Sequence, residues 1–336
     1  MAFQNVTQAA SIAADGVDVF FRTAGDPQNP AMVLLHGFPT SSHMFRNLIP
    51  LLALNFYVVA PDLPAFGFTK IPAGRNYAFT FDALANTFAA FLDAMQISRY
   101  AVYVFDYGAP VAMRVAAARP DSVAAIITQN GNAYEEGLDD AGWAGFRAYW
   151  ASNSTADRDA LRPLLTLEST QMQYSAGFPF PEAVQREAAI LDQALLDAGD
   201  KEVQLDLFFD YRKNVELYPS FQQYFRDSGV PILAAWGNKD PFFTVPGAQA
   251  YGRDARVFQL ELLDAGHFAL ETNEVRVAEL INGFVTSNNV FGNAAGAAAG
   301  ANTPAAVPAA PGTIAPGTVI PGVGTVQEIT RIVIGA

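Results

Sequence analysis

Apolar residues in this chain fall into short unbroken runs separated by helix-spaced stripes. Residues 31–36 (AMVLLH), 56–62 (FYVVAPD), 100–105 (YAVYVF) and 123–130 (VAAIITQN) are runs of strand length, the pattern of strands buried on both faces of a parallel sheet. Residues 17–24 (VDVFFRTA) alternate and read as an edge strand. Helical periodicity separates these runs, over 43–54 and again from Phe79 to Met95, where Phe81, Leu84, Phe88, Phe91 and Leu92 share one face. The β-α alternation predicts an α/β fold with a doubly wound, mostly parallel sheet. From about Ala133 to Phe225 the pattern is helical only, with Trp143, Phe146, Tyr149 and Trp150 spaced as a helix face. Strand runs return at 230–237 (VPILAAWG) and 257–263 (VFQLELL), followed by a last helix from Phe268 to Phe284. The expected organisation is therefore a core of residues 1–132 and 226–287, interrupted by a helical cap over 133–225. Beyond Ser287 the composition shifts, and 293–323 is almost entirely Ala, Gly, Pro, Thr and Val. With little side-chain area to bury against chain entropy, residues 288–336 are expected to form a flexible tail, with some β character from Thr325 onward.

Composition narrows the function classes. Across 336 residues the formal net charge is −13, which disfavours nucleic acid and anionic membrane as partners. There is no cysteine, so thiolate nucleophiles, disulfides and cysteine-ligated zinc are excluded. No run of 18 apolar residues and no basic-then-apolar leader is found, and a soluble cytoplasmic protein is expected. No ligand cluster or glycine-rich nucleotide loop calls for a metal or organic cofactor. The sequence leaves a homo-oligomer open. Only His36, His43 and His267 can supply an imidazole base.

The most informative segment is 100–120, YAVYVFDYGAPVAMRVAAARP. A buried strand meets a small-residue helix start with Asp106 at the junction, the layout of a nucleophile elbow. An acid at the apex attacks an sp³ carbon and forms an alkyl ester, which points to epoxide opening or dehalogenation. Asp240 stands after the 230–237 strand and His267 in the loop after the 257–263 strand, both at strand carboxyl ends, where open α/β sheets build their sites. The order Asp106, Asp240, His267 is nucleophile, acid, base. Each residue alone has a plainer reading: Asp106 as a helix N-cap, Asp240 as a turn residue, His267 as a satisfied loop histidine. Their coincidence in order and at strand ends is far more specific. Oxyanion donors would be the Phe38 and Tyr107 N–H groups. His36 reads as structural and His43 as a first-turn helix residue.

The segments 36–52 (HGFPTSSHMFRNLIPLL), 59–69 (VAPDLPAFGFT), 104–110 (VFDYGAP), 236–243 (WGNKDPFF) and 265–272 (AGHFALET) together resemble the α/β-hydrolase superfamily, in its epoxide hydrolase and haloalkane dehalogenase branch. The likeness covers roughly residues 12–285, and it departs from the usual pattern at Val104, where a smaller residue is common. It implies Asp106 as nucleophile, His267 as base and Asp240 as its carboxylate partner. It also implies that two cap tyrosines protonate an epoxide oxygen. Tyr211, in DYRKN, resembles one, and Tyr174, in QMQYSAG, the other. Trp150, Tyr149 and Tyr134 are expected to line a pocket for a small apolar substrate. Haloalkane dehalogenases usually carry Trp after the nucleophile, and haloacetate dehalogenases Arg; here the residue is Tyr107. Trp143 or Trp150 remains a candidate halide donor. Epoxide hydrolysis is the leading expectation, with haloalkane or haloacid dehalogenation and a non-catalytic small-ligand receptor as alternatives.

Overall fold

A computed structural model describes residues 6–292, 319–320 and 324–325. Eight strands form the central sheet: β1 (Gln8–Ala14), β2 (Val17–Ala24), β3 (Ala31–Leu35), β4 (Tyr57–Pro61), β5 (Tyr100–Phe105), β6 (Val123–Gln129), β7 (Ile232–Gly237) and β8 (Phe258–Leu263). Their spatial order is β1-β2-β4-β3-β5-β6-β7-β8. The β1–β2 and β2–β4 pairs are antiparallel; all pairs from β4 to β8 are parallel. The expectation that residues 17–24 lie at the sheet edge is corrected by β1, which occupies that edge and pairs with β2 from Val17 to Thr23. The Ala-rich β1, in which Ile12 is the one large apolar residue, carries little apolar signal. Its hairpin turn is nonetheless written in the sequence, because Asp15 and Gly16 both hold positive φ (51° and 68°), as a two-residue hairpin turn with Asp-Gly requires.

Period-two alternation sorts the central strands between two cores. Val33, Leu35, Val102, Val104 and Ile126 face one side; Met32, Leu34, Tyr103, Phe105 and Ile127 face the other. Each such side chain contributes about 1.5–3 kcal/mol on burial, so the middle of the sheet is its most firmly held part. Val104 fits despite its size because Gly131 lies opposite: a Cβ there would come within 2.8 Å of Ala109 Cβ and 3.3 Å of a Val104 methyl.

Helices α1 (Leu48–Leu52), α2 (Phe81–Ala94) and α3 (Gly108–Ala118) connect the first strands. Thr80 starts α2 by accepting the Ala83 N–H at 3.2 Å. Between β6 and β7 lie α4 (Asp140–Ser152), α5 (Thr155–Ala160), α6 (Leu167–Ser175), α7 (Arg186–Ala198), α8 (Lys201–Asp210) and α9 (Arg212–Ser228). Asp139 caps α4, and left-handed Asn153 and Gly229 end α4 and α9. The short α10 (Val245–Ala250) follows β7, and α11 (Leu270–Ser287) follows β8. Among the described residues no helix is long and apolar enough to cross a membrane.

The expected flexible tail lies largely outside the described residues. Within it, β9 (Val319–Ile320) and β10 (Gly324–Thr325) form an antiparallel pair.

Candidate active site

The chain leaves β3 toward β4 on one side and reaches β5 on the other, so the carboxyl ends of β3 and β5 flank the point where the strand order reverses. Brought into register by the Leu35–Val104 pairing, the two ends meet at Asp106. This residue holds φ 47°, a strained conformation that aims its carboxylate out of the sheet. Its Oδ1 accepts the Phe38 N–H at 2.6 Å and the carboxylate also accepts the Tyr107 N–H. The approach is tight enough to require Gly37, where a Cβ would stand 2.3 Å from Asp106 Oδ1 and 2.5 Å from the Tyr107 nitrogen. Burial pushes the Asp106 carboxyl up to about 6, against the opposing pull of the His267 charge and the two N–H groups.

His267 follows β8 and Asp240 follows β7. His267 Nδ1 donates to Asp240 Oδ2 over 2.7 Å, which leaves Nε2 as the lone-pair nitrogen of the neutral ring. Burial alone would lower the imidazole pKa; the Asp240 charge and hydrogen bond, with a smaller contribution from Asp106, outweigh it and raise the value above 6.5. The carboxylate of Asp240 is held in turn by Asn130 Nδ2 at 2.7 Å and the Phe242 N–H at 2.7 Å. Gln129 Nε2 donates to the His267 carbonyl at 2.7 Å and to Asn130 Oδ1 at 2.8 Å. These two amides at the end of β6 hold the Asp240–His267 pair in place, and sequence reasoning passed over them. Their signal was present: two polar residues closing an otherwise apolar strand.

Asp106 and His267 open onto a small cavity of about 40 Å³. The sheet side adds Phe38 and Tyr107, and the helical insertion closes it with Trp143, Phe146, Phe208, Tyr211 and Gln173. Among the described residues, no three His, Asp or Glu side chains are grouped as metal ligands.

The sequence profile of the alpha/beta hydrolase fold matches residues 30–274. The chain belongs to this family. An uncharacterized hydrolase of Saccharomyces cerevisiae is 48% identical over 278 residues, covering 82% of this chain and 95% of that protein. A haloalkane dehalogenase of Psychrobacter cryohalolentis is 25% identical over 280 residues, covering 80% and 88%. Among solved structures, the epoxide hydrolase CorEH superposes with a TM-score of 0.68 at 18% identity, covering 84% of this chain and 99% of that one; this likeness concerns the fold. The chain is thus an α/β-hydrolase with both dehalogenase and epoxide hydrolase neighbours.

Within this family fold, the other sequence-predicted residues separate into two groups. Tyr211 lines the cavity, buried against Tyr107 and Trp143. Its hydroxyl lies 3.3 Å from that of Tyr218, which receives Asn132 Nδ2 at 3.3 Å. Tyr174 is turned elsewhere. Its hydroxyl donates to Asp192 and, at 3.4 Å, to Thr40, and its ring stacks on Phe268 with centroids 3.9 Å apart. The neighbouring Gln173 takes the cavity position. Trp150, Tyr149 and Tyr134, expected to line the pocket, do not. Trp150 stacks behind Tyr211, Tyr149 packs on Phe209 and accepts from Arg158 at 2.9 Å, and Tyr134 donates to Asp254 at 2.9 Å. All three tryptophan N–H groups donate to backbone carbonyls: Trp143 to Phe242 at 2.9 Å, Trp150 to Phe208 at 2.8 Å and Trp236 to Phe243 at 2.8 Å. The halide-donor expectation for Trp143 or Trp150 is corrected accordingly. His36 is structural: Nδ1 donates to the Gly37 carbonyl at 3.0 Å and Nε2 accepts the Leu63 N–H at 2.9 Å. His43 is half-buried in a single 3-10 turn.

Proposed function

We propose that this hydrolase opens small apolar epoxides to vicinal diols through an ester on Asp106. The carrying observation is the set of donors at the cavity. A phenol, Tyr211, opens onto it beside the nucleophile, while every tryptophan N–H is committed to a carbonyl. An epoxide oxygen departs as an alkoxide and needs a proton; a halide leaves as a stable anion and needs only hydrogen-bond donors, commonly N–H groups.

In this reading Asp106 attacks an epoxide carbon while the C–O bond breaks, and Tyr211 gives its proton to the departing oxygen. Burial holds the Tyr211 phenol well above its ordinary pKa, so it is neutral and proton-bearing at working pH. Tyr218 accepts from Asn132 and keeps its own proton to give to Tyr211; in that orientation the Tyr211 proton faces the substrate. His267, aligned by Asp240, then deprotonates a water that attacks the ester carbonyl. The Phe38 and Tyr107 amides hold the resulting oxyanion, a contribution of about 3–4 kcal/mol for each such donor. The aromatic walls favour an apolar substrate body.

Halide displacement by the same triad is the second reading. It is favoured by the relative named as a haloalkane dehalogenase and would draw on the Tyr107 and Tyr211 hydroxyls. A non-catalytic receptor would have no use for the aligned Asp240–His267 pair. The test is a panel of aliphatic and aryl epoxides incubated with the protein and with Asp106→Ala. Diol from the wild type alone is expected. Halide release from haloalkanes without diol from any epoxide would replace this reading with the second.

A further inference from the structure

We infer that Gln173 is a second hydrogen-bond donor to the epoxide oxygen, acting beside Tyr211 during ring opening; this rests on the epoxide reading above. Gln173 lies in α6, only 4% exposed, and its side chain lines the cavity that holds Asp106, His267 and Tyr211. Its amide makes no hydrogen bond to any other described residue. Other buried glutamines nearby behave differently. Gln193 receives Thr170 at 2.8 Å and donates to Asp197 at 2.8 Å, and Gln129 is fully engaged behind the base. The Gln173 amide is not among the sealed, unpartnered polar atoms, so it is reached from the cavity with its hydrogen-bonding capacity unused by the protein. A ligand in the cavity can use it.

The adjoining residue holds this amide in place. Tyr174 ties α6 to the sheet through Thr40 and through its stacking on Phe268, the residue next to His267. One step along a helix turns a side chain by about 100°, so anchoring Tyr174 on Thr40 and Phe268, away from the cavity, fixes Gln173 toward it. The amide NH₂ is neutral, donates two hydrogen bonds and cannot surrender a proton. Its role is therefore separate from that of Tyr211. As the Asp106–carbon bond forms and the epoxide C–O bond breaks, the electron pair moves onto oxygen. Tyr211 supplies the proton there, and Gln173 stabilises the developing charge while keeping its own hydrogens. The proton that His267 takes from water later restores Tyr211, and the sum is epoxide plus water to diol.

The experiment compares the full chain with Gln173→Met, which keeps the shape without the amide, and Gln173→Glu, which keeps an acceptor without the donors. Rapid-quench measurement with an aryl epoxide gives the rates of ester formation and ester hydrolysis separately. The expected result is a loss on the order of 10²-fold in ester formation for both variants, with ester hydrolysis within a few-fold of wild type and an unchanged or raised melting temperature for the Met variant. Wild-type diol formation with Gln173→Met forming ester at the wild-type rate would overturn this inference alone. So would a Glu variant that stays active, and it decides the matter if the Met variant fails to fold. Absence of diol from the wild type on any epoxide would instead overturn the functional reading, and this inference with it.

Discussion

On the sheet side of the cavity, Asp106, Asp240 and His267 have their partners inside the protein. Asp106 accepts two backbone N–H groups, and Asp240 is held by His267, Asn130 and the Phe242 N–H. On the insertion side, Tyr211 and Gln173 line the cavity; the Tyr211 hydroxyl has only that of Tyr218 for a partner, at 3.3 Å, and the Gln173 amide makes no hydrogen bond to another described residue. The difference separates two tasks. A nucleophile and base common to many α/β-hydrolases need a fixed geometry, which loops at the ends of buried parallel strands provide. On the proposed epoxide reading, recognition of the leaving group falls to the helical insertion, whose polar groups await the substrate.

Breaking the sheet side has the largest expected effect. Asp106→Asn should abolish turnover, by 10⁴-fold or more, yet leave a more stable protein. Asparagine tolerates the positive φ of this position. Raising the Asp106 pKa from 3.8 to about 6 also means that the folded state disfavours the carboxylate by on the order of 2–3 kcal/mol at neutral pH. That cost applies above pH 6 and fades as pH falls toward 3.8, so the stability gain of Asp106→Asn should be seen at pH 7 and vanish near pH 4. Thermal melts at the two pH values check this.

On the insertion side the sharpest contrast lies between the two tyrosines expected to act as acids. Tyr211→Phe should lower the rate of ester formation by about 10²-fold with little change in melting temperature. Tyr174→Phe should do the reverse. Activity should stay within a few-fold, while stability falls by roughly 1–3 kcal/mol, because Asp192, whose Oδ1 already lacks a partner, loses its phenol donor. Equal rate losses in both variants would erase the distinction between cavity and anchoring residue.

A subtler effect concerns pH. Asp106 becomes a carboxylate above about pH 6, whereas His267, with its pKa raised above 6.5, becomes a neutral base only at higher pH. Ester formation should therefore persist to lower pH than ester hydrolysis, and between the two limits the covalent intermediate should accumulate. Quenched samples across pH 5.5–8, weighed by mass spectrometry, would reveal it.

Much of this was legible in the sequence, for reasons that also mark where legibility ended. Buried parallel strands read as unbroken apolar runs, so their carboxyl ends, and hence Asp106, Asp240 and His267, could be located by position. Gln129 and Asn130 close a strand and look like ordinary loop polarity; only the fold brings them behind Asp240. In the insertion, helical spacing gives a face but not a depth. Trp143 and Phe146 reach the cavity, while Trp150, on the same face a turn further on, packs behind Tyr211. Register matters more still: a displacement of one residue exchanges Gln173, which faces the cavity, for Tyr174, which faces the sheet.

The central claim, that Asp106 opens an epoxide and carries the product as an ester, is tested most directly by trapping that ester. His267→Gln should form the ester but fail to hydrolyse it. Incubated with an aryl epoxide, digested and analysed by mass spectrometry, it is predicted to gain the full mass of the epoxide on the peptide containing Asp106. An adduct that forms only with a bromoalkane, carrying the alkyl group without the halogen, or no adduct on Asp106 from any epoxide, would contradict the account.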